Sequence, residues 1–173
     1  MNCILVRHGI AVEQSEWKKA DADRPLSDKG LVRTRKAARG LMRLGIVPTH
    51  ILTSPLVRAR DTARLIQESF EDPPSITVCE ELLPKAPPEK LATVLHALPA
   101  EATVICVGHE PQLSYAAGVL LVGQRVPGLR FKKAGACLIV LPERTTIARG
   151  RLRWWLAPRQ LRSLRGRAAR TPD

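Results

Sequence analysis

Three short stretches of the 173-residue sequence place charged or titratable groups suited to holding an anion directly after apolar runs. They are Arg7-His8-Gly9, Ser54-Pro55 with Arg58 one turn on, and Gly108-His109. An imidazole titrates near neutral pH, and a guanidinium presents a planar fork of donors matched to phosphate oxygens. Gly9 would let the backbone approach a ligand closely. In an open α/β sheet, ligands bind beyond the carboxyl ends of the strands, so two His and two Arg from distant parts of the chain can converge on one oxyanion. His50 and His96 lack this placement: one precedes a strand, the other lies inside a helical stretch with no Arg motif beside it, and both are read as structural.

The elements that must position these groups follow from the apolar pattern. Cys3 to Val6 form a β-branched and aliphatic run suited to a strand buried on both faces. After a polar loop over 13–24, Leu31, Ala38, Leu41 and Met42 recur at helical spacing, with Ser27 as N-cap and an end near Gly45. A short strand over Ile51 and Leu52 runs into a second helix, with Ser54 as cap, Pro55 at its first position, and Ala59, Ala63 and Ile66 on its apolar side. A strand is predicted over ITVCEEL (76–82), a helix over 88–98, a buried strand over 103–107 and a helix opened by Glu110-Pro111. The strands GACLIVL and RLRWWLA close the chain, the second alternating Leu152, Trp154 and Leu156 with Arg151, Arg153 and Trp155. This alternation predicts an α/β three-layer sandwich with a mostly parallel central sheet flanked by helices. One domain is expected over 1–165, followed by a basic tail over 166–173 that need not be ordered.

Composition narrows the function classes. A hydrophobic content of 45% supports a real core. No uncharged apolar run reaches the ~18 residues of a membrane span, and the N-terminus lacks a secretory pattern, so a cytoplasmic protein without a membrane partner is expected. Cys3, Cys79, Cys106 and Cys137 stand singly among aliphatic residues, without CxxC spacing, and are read as small core residues. Residues 144–173 carry nine Arg against Asp173 alone, a net +8 of the chain's +12.

Clustered Arg suits nucleic-acid phosphates, yet the aromatic content is only 3%, leaving little on which to stack bases. Attraction to an acidic protein or to anionic substrates explains the same charge. Arg33, Arg35, Lys36, Arg39 and Arg43 are read as a solvated helix face, and Arg60 and Arg64 as exposed or paired with Asp61. A metal site is disfavoured, since Arg7 and Arg58 in one pocket would oppose a divalent ion and the His spacing fits no zinc pattern.

Several motifs in order carry a resemblance that covers most of the chain: LVRHGIA, DRPLSDKG, SPLVRARDTA, EELLP, VGHEPQLS and LRWWLAPRQLR. Together they resemble the histidine phosphatases (branch 1, phosphoglycerate mutase-like), and within them the small SixA-type phosphohistidine phosphatases. The resemblance implies that His8 is the nucleophile, attacking phosphorus in line to give a phosphohistidine that water hydrolyses. It implies that Arg7, Arg58 and His109 hold the non-bridging oxygens, with no metal or other cofactor.

The family's usual proton donor is an acidic residue after the third strand, here Glu81 in EELLP, with neighbouring Glu80 keeping the choice open and Asp23 or Glu110 as alternatives. Arg24 in DRPLSDKG matches a SixA-type position near the phosphate and would be an auxiliary oxyanion contact. The resemblance to SixA-type members implies that the substrate and partner is a phosphohistidine-bearing protein, such as a phosphorelay component, and the chain has no obvious long insertion to build a lid over a small metabolite. Small phosphomonoesters such as sugar phosphates are the alternative. A non-catalytic phospho-ligand or nucleic-acid binding module is the reading from a different class.

Overall fold

The computed structural model describes residues 1–142 and 148–165; the 166–173 tail lies outside the described residues. Six strands form one sheet: β1 (Asn2–Arg7), β2 (His50–Thr53), β3 (Ile76–Val78), β4 (Thr103–Gly108), β5 (Ala136–Val140) and β6 (Arg151–Leu156). Their order across the sheet is β3-β2-β4-β1-β5-β6. β1, β2, β3 and β4 run parallel, and β5 pairs antiparallel with both β1 and β6, so the sheet is mostly parallel as the alternation of elements predicts.

Two apolar layers sandwich the sheet because successive side chains on a strand point to opposite faces. Cys3 and Leu5 of β1, with Val104 and Cys106 of β4, pack against α3 (Pro88–His96) and α4 (Gln112–Val122). Ile4 and Val6, with Ile105 and Val107, pack against α1 (Asp28–Arg43), α2 (Val57–Gln67) and α5 (Pro158–Ser163). All four cysteines are free and buried on the α3/α4 side of the sheet. Burial and the Glu81 hydrogen bond push the Cys79 thiol up to about 12, and burial together with neighbouring thiols raises Cys106 and Cys137, which keeps these groups neutral.

The chain leaves β1 over one face through α1 and leaves the adjacent β4 over the other through α4. The β1/β4 boundary is therefore the topological switch point of the sheet, where the connecting loops part and leave a crevice beyond the strand ends.

Local structure departs from the sequence reading in four places. α1 begins as predicted, with Ser27 Oγ accepting from Gly30 N at 3.1 Å, and ends in Gly45 at φ +75°, but Met42 on its predicted apolar side is 40% exposed. α2 starts at Val57, two residues later than Pro55, and Ser54 is not its cap; its hydroxyl faces His109 instead. The strand predicted over 76–82 stops at Val78, because residues 80–82 turn into a short 3-10 helix that buries Leu82. In β6, Leu138 opposes Trp154 while Ile139 opposes Leu152, so Arg153 is an extra residue in a bulge. Directly opposed residues share a face. The bulge thus sends Leu152 to the side of Ile139, away from Trp154 and Leu156, and leaves it 46% exposed on the edge strand.

Candidate active site

His8 follows β1 and His109 follows β4, and register pairing of Arg7 with Gly108 sets the two imidazoles side by side. Their ring centroids lie 4.9 Å apart, tilted by 50°. Both rings are buried. The His8 amide donates to the Gly108 carbonyl at 3.0 Å, tying the two strand ends together below the rings.

His8 Nδ1 lies 2.7 Å from the Gly9 carbonyl oxygen. A carbonyl only accepts, so Nδ1 carries the proton and Nε2 keeps its lone pair. Burial, the His109 ring and the Arg58 and Arg7 charges push the His8 imidazole down to about 2, against the raising effect of the Gly9 carbonyl. Burial and then the Arg58 and Arg7 charges push His109 down to about 3, against the attraction of Asp21. Both rings are neutral at pH 7, the state a nitrogen nucleophile requires.

The two predicted arginines flank the rings and are anchored differently. Arg7 donates from Nη1 to the Phe131 carbonyl at 2.7 Å. The Phe131 amide in turn donates to Glu110 Oε1 at 2.9 Å, and both Glu110 oxygens accept from Ser114 Oγ. Arg58, buried in the first turn of α2, donates from Nη1 to the Asp21 carbonyl oxygen at 2.9 Å and from Nη2 to Asp21 Oδ2 at 3.1 Å. Burial lowers the pKa of both guanidinium groups while Glu110 and Asp21 respectively oppose it, and both remain charged.

Arg24 joins the same cluster. Its Nε donates to Asp21 Oδ1 at 2.9 Å and its Nη1 to the Val12 carbonyl at 2.8 Å. Asp21 therefore bridges Arg24 and Arg58. Burial raises the Asp21 carboxyl, but the Arg24 hydrogen bond and the two guanidinium charges outweigh it, so the group lies below its ordinary value. Asp21 was absent from the sequence reading; an acid three residues before the Arg of DRPLSDKG, at salt-bridge spacing on one turn, was the available signal.

Gly9 is also required by contacts within the fold itself. Its amide donates to Thr62 Oγ1 at 3.0 Å, whose hydroxyl donates to the Arg58 carbonyl at 2.8 Å, so that amide is already engaged. A methyl at Gly9 would overlap Thr34 Oγ1 of α1. Glycine is needed there because α1 packs against the turn, and its carbonyl fixes His8.

The sequence also missed Ser54 as a partner of His109, whose Nε2 lies 2.9 Å from Ser54 Oγ. His109 Nδ1 is buried without a hydrogen-bond partner among the described residues, as are Arg7 Nε and Arg58 Nε.

The acid candidates separate. Glu81 Oε2 accepts from the Cys79 thiol at 3.2 Å, and the Glu81 carbonyl accepts from Gln112 Nε2 at 2.8 Å, fixing the short 3-10 helix to the start of α4. The neighbouring Leu82 carbonyl lies against Gly108 at the end of β4, while Glu81 lines a depression with Glu80, Leu83, Lys85 and Lys90 that includes none of Arg7, His8, Arg58 and His109. Glu80 is exposed, as is Asp23 in the turn after Asp21. Glu110, holding Phe131 and Ser114, is committed to positioning Arg7. No group of three or more His, Cys, Asp or Glu side chains among the described residues is placed to hold a metal.

Comparison with known proteins bears on this arrangement. The signature of the Histidine phosphatase superfamily (branch 1) matches residues 3–83. An uncharacterized protein of Picosynechococcus sp. is 37% identical over 137 residues, 78% of this chain and 82% of that one. The phosphohistidine phosphatase SixA of Escherichia coli (strain K12) is 27% identical over 164 residues, 94% of this chain and 97% of its own length. The solved structure of the protein histidine phosphatase SixA complexed with tungstate superposes with a TM-score of 0.82 at 27% identity, covering 93% of this chain and 99% of that one. The phosphoglycerate mutase-like arrangement of sheet and helices is thus shared along nearly the whole chain.

Proposed function

The chain belongs to the histidine phosphatase superfamily, branch 1, and on that basis we propose that it is a SixA-like phosphatase hydrolysing phosphohistidine on a protein, through a covalent intermediate on His8. The single observation that carries this reading is the neutral His8 ring, with Nδ1 fixed by the Gly9 carbonyl, between Arg7 and Arg58 and beside His109.

The lone pair of His8 Nε2 attacks phosphorus, forming a P–N bond as the bond to the leaving group breaks and the leaving group departs with that electron pair. The Nδ1 proton stays on the ring, and the Gly9 carbonyl stabilises the positive charge that develops there. Arg7, Arg58 and the His109 Nδ1 edge face the non-bridging oxygens, with Arg24 as an auxiliary contact beyond Asp21. The three guanidinium charges and the neutral His109 N–H donor offset charge spread over a loose transition state, so the step does not need a metal's charge. Water then attacks the phosphohistidine: a P–O bond forms, the P–N bond breaks, and His8 returns to its neutral form as inorganic phosphate leaves.

A phosphohistidine protonated on its second ring nitrogen releases a neutral imidazole when the P–N bond breaks, which lowers the demand on a general acid. Glu81, the acidic residue after β3, would supply a proton where the leaving group is an alkoxide. A second reading, hydrolysis of small phosphomonoesters, rests on one stretch of 85 residues that is 36% identical to the 2,3-bisphosphoglycerate-dependent phosphoglycerate mutase of Methylobacterium sp. (strain 4-46), 46% of this chain and 39% of that one.

The test is phosphate release in EDTA from a phosphohistidine protein and from a panel of small esters, with His8→Ala alongside. Release from the phosphoprotein, lost in the variant, is expected. Full activity in His8→Ala would overturn the mechanism, and release from the esters alone would favour the second reading.

A further inference from the structure

A depression of about 420 Å³ opens beside the candidate site, and Arg7 forms part of its wall. Its other charged lining residues are Arg33 of α1, Lys132 and Lys133 before β5, and Arg159 and Arg162 of α5. Among the described residues no acidic side chain lines it. A second depression of about 480 Å³ shares Arg33 and Arg162 with the first and adds Lys29 and Lys36, with Asp28 as its single acid. None of these cations forms an ion pair among the described residues, although Arg24, Arg35 and Arg58 do.

Like charges gathered on one side of a fold repel one another and are compensated only when an opposite charge arrives. The sequence reading treated Arg33 and Lys36 as part of a solvated helix face; the fold brings them into one basic surface with α5 and the segment before β5, and that surface ends at Arg7. Thr34 Oγ1 and Arg7 Nε, buried polar atoms without partners among the described residues, belong to residues of the same wall.

We propose that this surface docks an acidic face of the phosphoprotein substrate, seating carboxylates over Arg33, Lys132 and Arg159 while the phosphohistidine enters the crevice at His8. The inference rests on the catalytic reading above and deepens it. Its extent favours a protein over a small polyanion: Lys29 to Lys36 alone extends about 10 Å along α1, at 1.5 Å per residue, and the two depressions continue across α5. Nucleic acid fits less well, because no aromatic side chain lines either depression to stack a base.

The experiment compares two phosphohistidine peptides, one flanked by Glu and one by Gln, with free phosphohistidine as a substrate too small to reach the surface. The wild type is expected to show a KM about tenfold lower for the Glu peptide at low salt, with equal kcat and a preference that shrinks as salt rises. In the triple variant Arg33→Glu, Lys132→Glu, Arg159→Glu, that preference disappears while turnover of free phosphohistidine is unchanged.

Equal KM values for the two peptides, with free phosphohistidine still turned over, would overturn docking and leave the catalytic reading standing. Binding of the unphosphorylated Glu peptide, read by fluorescence anisotropy on wild type and triple variant, measures docking without turnover, so loss of all hydrolysis would count against the catalytic reading alone. Absence of peptide binding, or equally tight binding of a single-stranded oligonucleotide, would overturn an acidic protein as the occupant.

Discussion

Asp21 and Arg58 are joined by a two-point contact, the Asp21 carbonyl oxygen accepting at 2.9 Å and its carboxylate at 3.1 Å, and Arg24 holds the other carboxylate oxygen. A carboxylate thus sits where it competes with an incoming phosphoryl group for the same guanidinium. Replacing it by Asn keeps the carbonyl contact but removes the charge. In Asp21→Asn, orthophosphate and tungstate are expected to bind about fivefold more tightly, the effect of one nearby unit charge in a partly solvated site. Product inhibition should strengthen in proportion. Calorimetric titration checks this, and weaker anion binding would show that Asp21 chiefly orients Arg58.

The two buried imidazoles make stability depend on pH. Their folded values of about 2 and about 3 lie below the ordinary 6.5, so below pH 6.5 the unfolded chain binds more protons than the native state. Their contribution is complete above pH 6.5 and is lost as pH falls towards the folded values, at about 1.4 kcal/mol per pH unit for each ring. Urea unfolding at pH 7 and pH 5 should show this loss, and His109→Gln should reduce it. A stability indifferent to pH over that range would contradict the neutral, buried state of the rings.

Ser54→Ala removes the hydroxyl that fixes His109 Nε2. With ring orientation released, kcat is expected to fall about tenfold, the worth of one hydrogen bond that holds a catalytic geometry. The fold should be unaffected. Steady-state kinetics with thermal melting separates the two effects.

At Gly9, a methyl group meets the Thr34 hydroxyl of α1. Gly9→Ala should destabilise by about 2 kcal/mol through overpacking and lower activity by displacing the carbonyl that holds His8. Adding Thr34→Ala deletes the overlapping atom, so the double variant should recover most of the stability. Failure to recover would locate the strain in the backbone instead.

Glu81→Gln and Glu110→Gln should act on different kinetic constants. The first is expected to slow alkyl phosphate esters more than phosphohistidine, because only the esters need a strong proton donor. The second weakens the Glu110–Phe131–Arg7 chain and should raise KM for both substrate types. Equal slowing of both types by Glu81→Gln would remove it as the proton donor.

Much of the framework was legible in order along the chain. Apolar runs gave β1, β2 and β4, helical spacing gave α1 to α4, and the residues just after the strands named His8, Arg58 and His109, because local pattern and the strand-end rule are properties of short segments. The misses came where tertiary contact overrode local preference. Ser54 reads as an N-cap until His109, 55 residues away, provides a partner. Glu80 to Leu82 read as strand until burial of Leu82 turns them into a 3-10 helix, and the β6 alternation fails because a bulge, which leaves no period-2 trace, reverses the face of Leu152.

The sequence by itself determined which chemical groups stand at the strand ends and that the sheet between them is apolar on both faces. Only the tertiary structure decided the state of those groups. The 4.9 Å spacing of two neutral imidazoles, the sharing of Asp21 by two guanidiniums and the gathering of α1, α5 and pre-β5 cations beside Arg7 depend on contacts between residues far apart in sequence. Burial and charge proximity set protonation and affinity, and both are properties of three-dimensional distance that no linear spacing encodes.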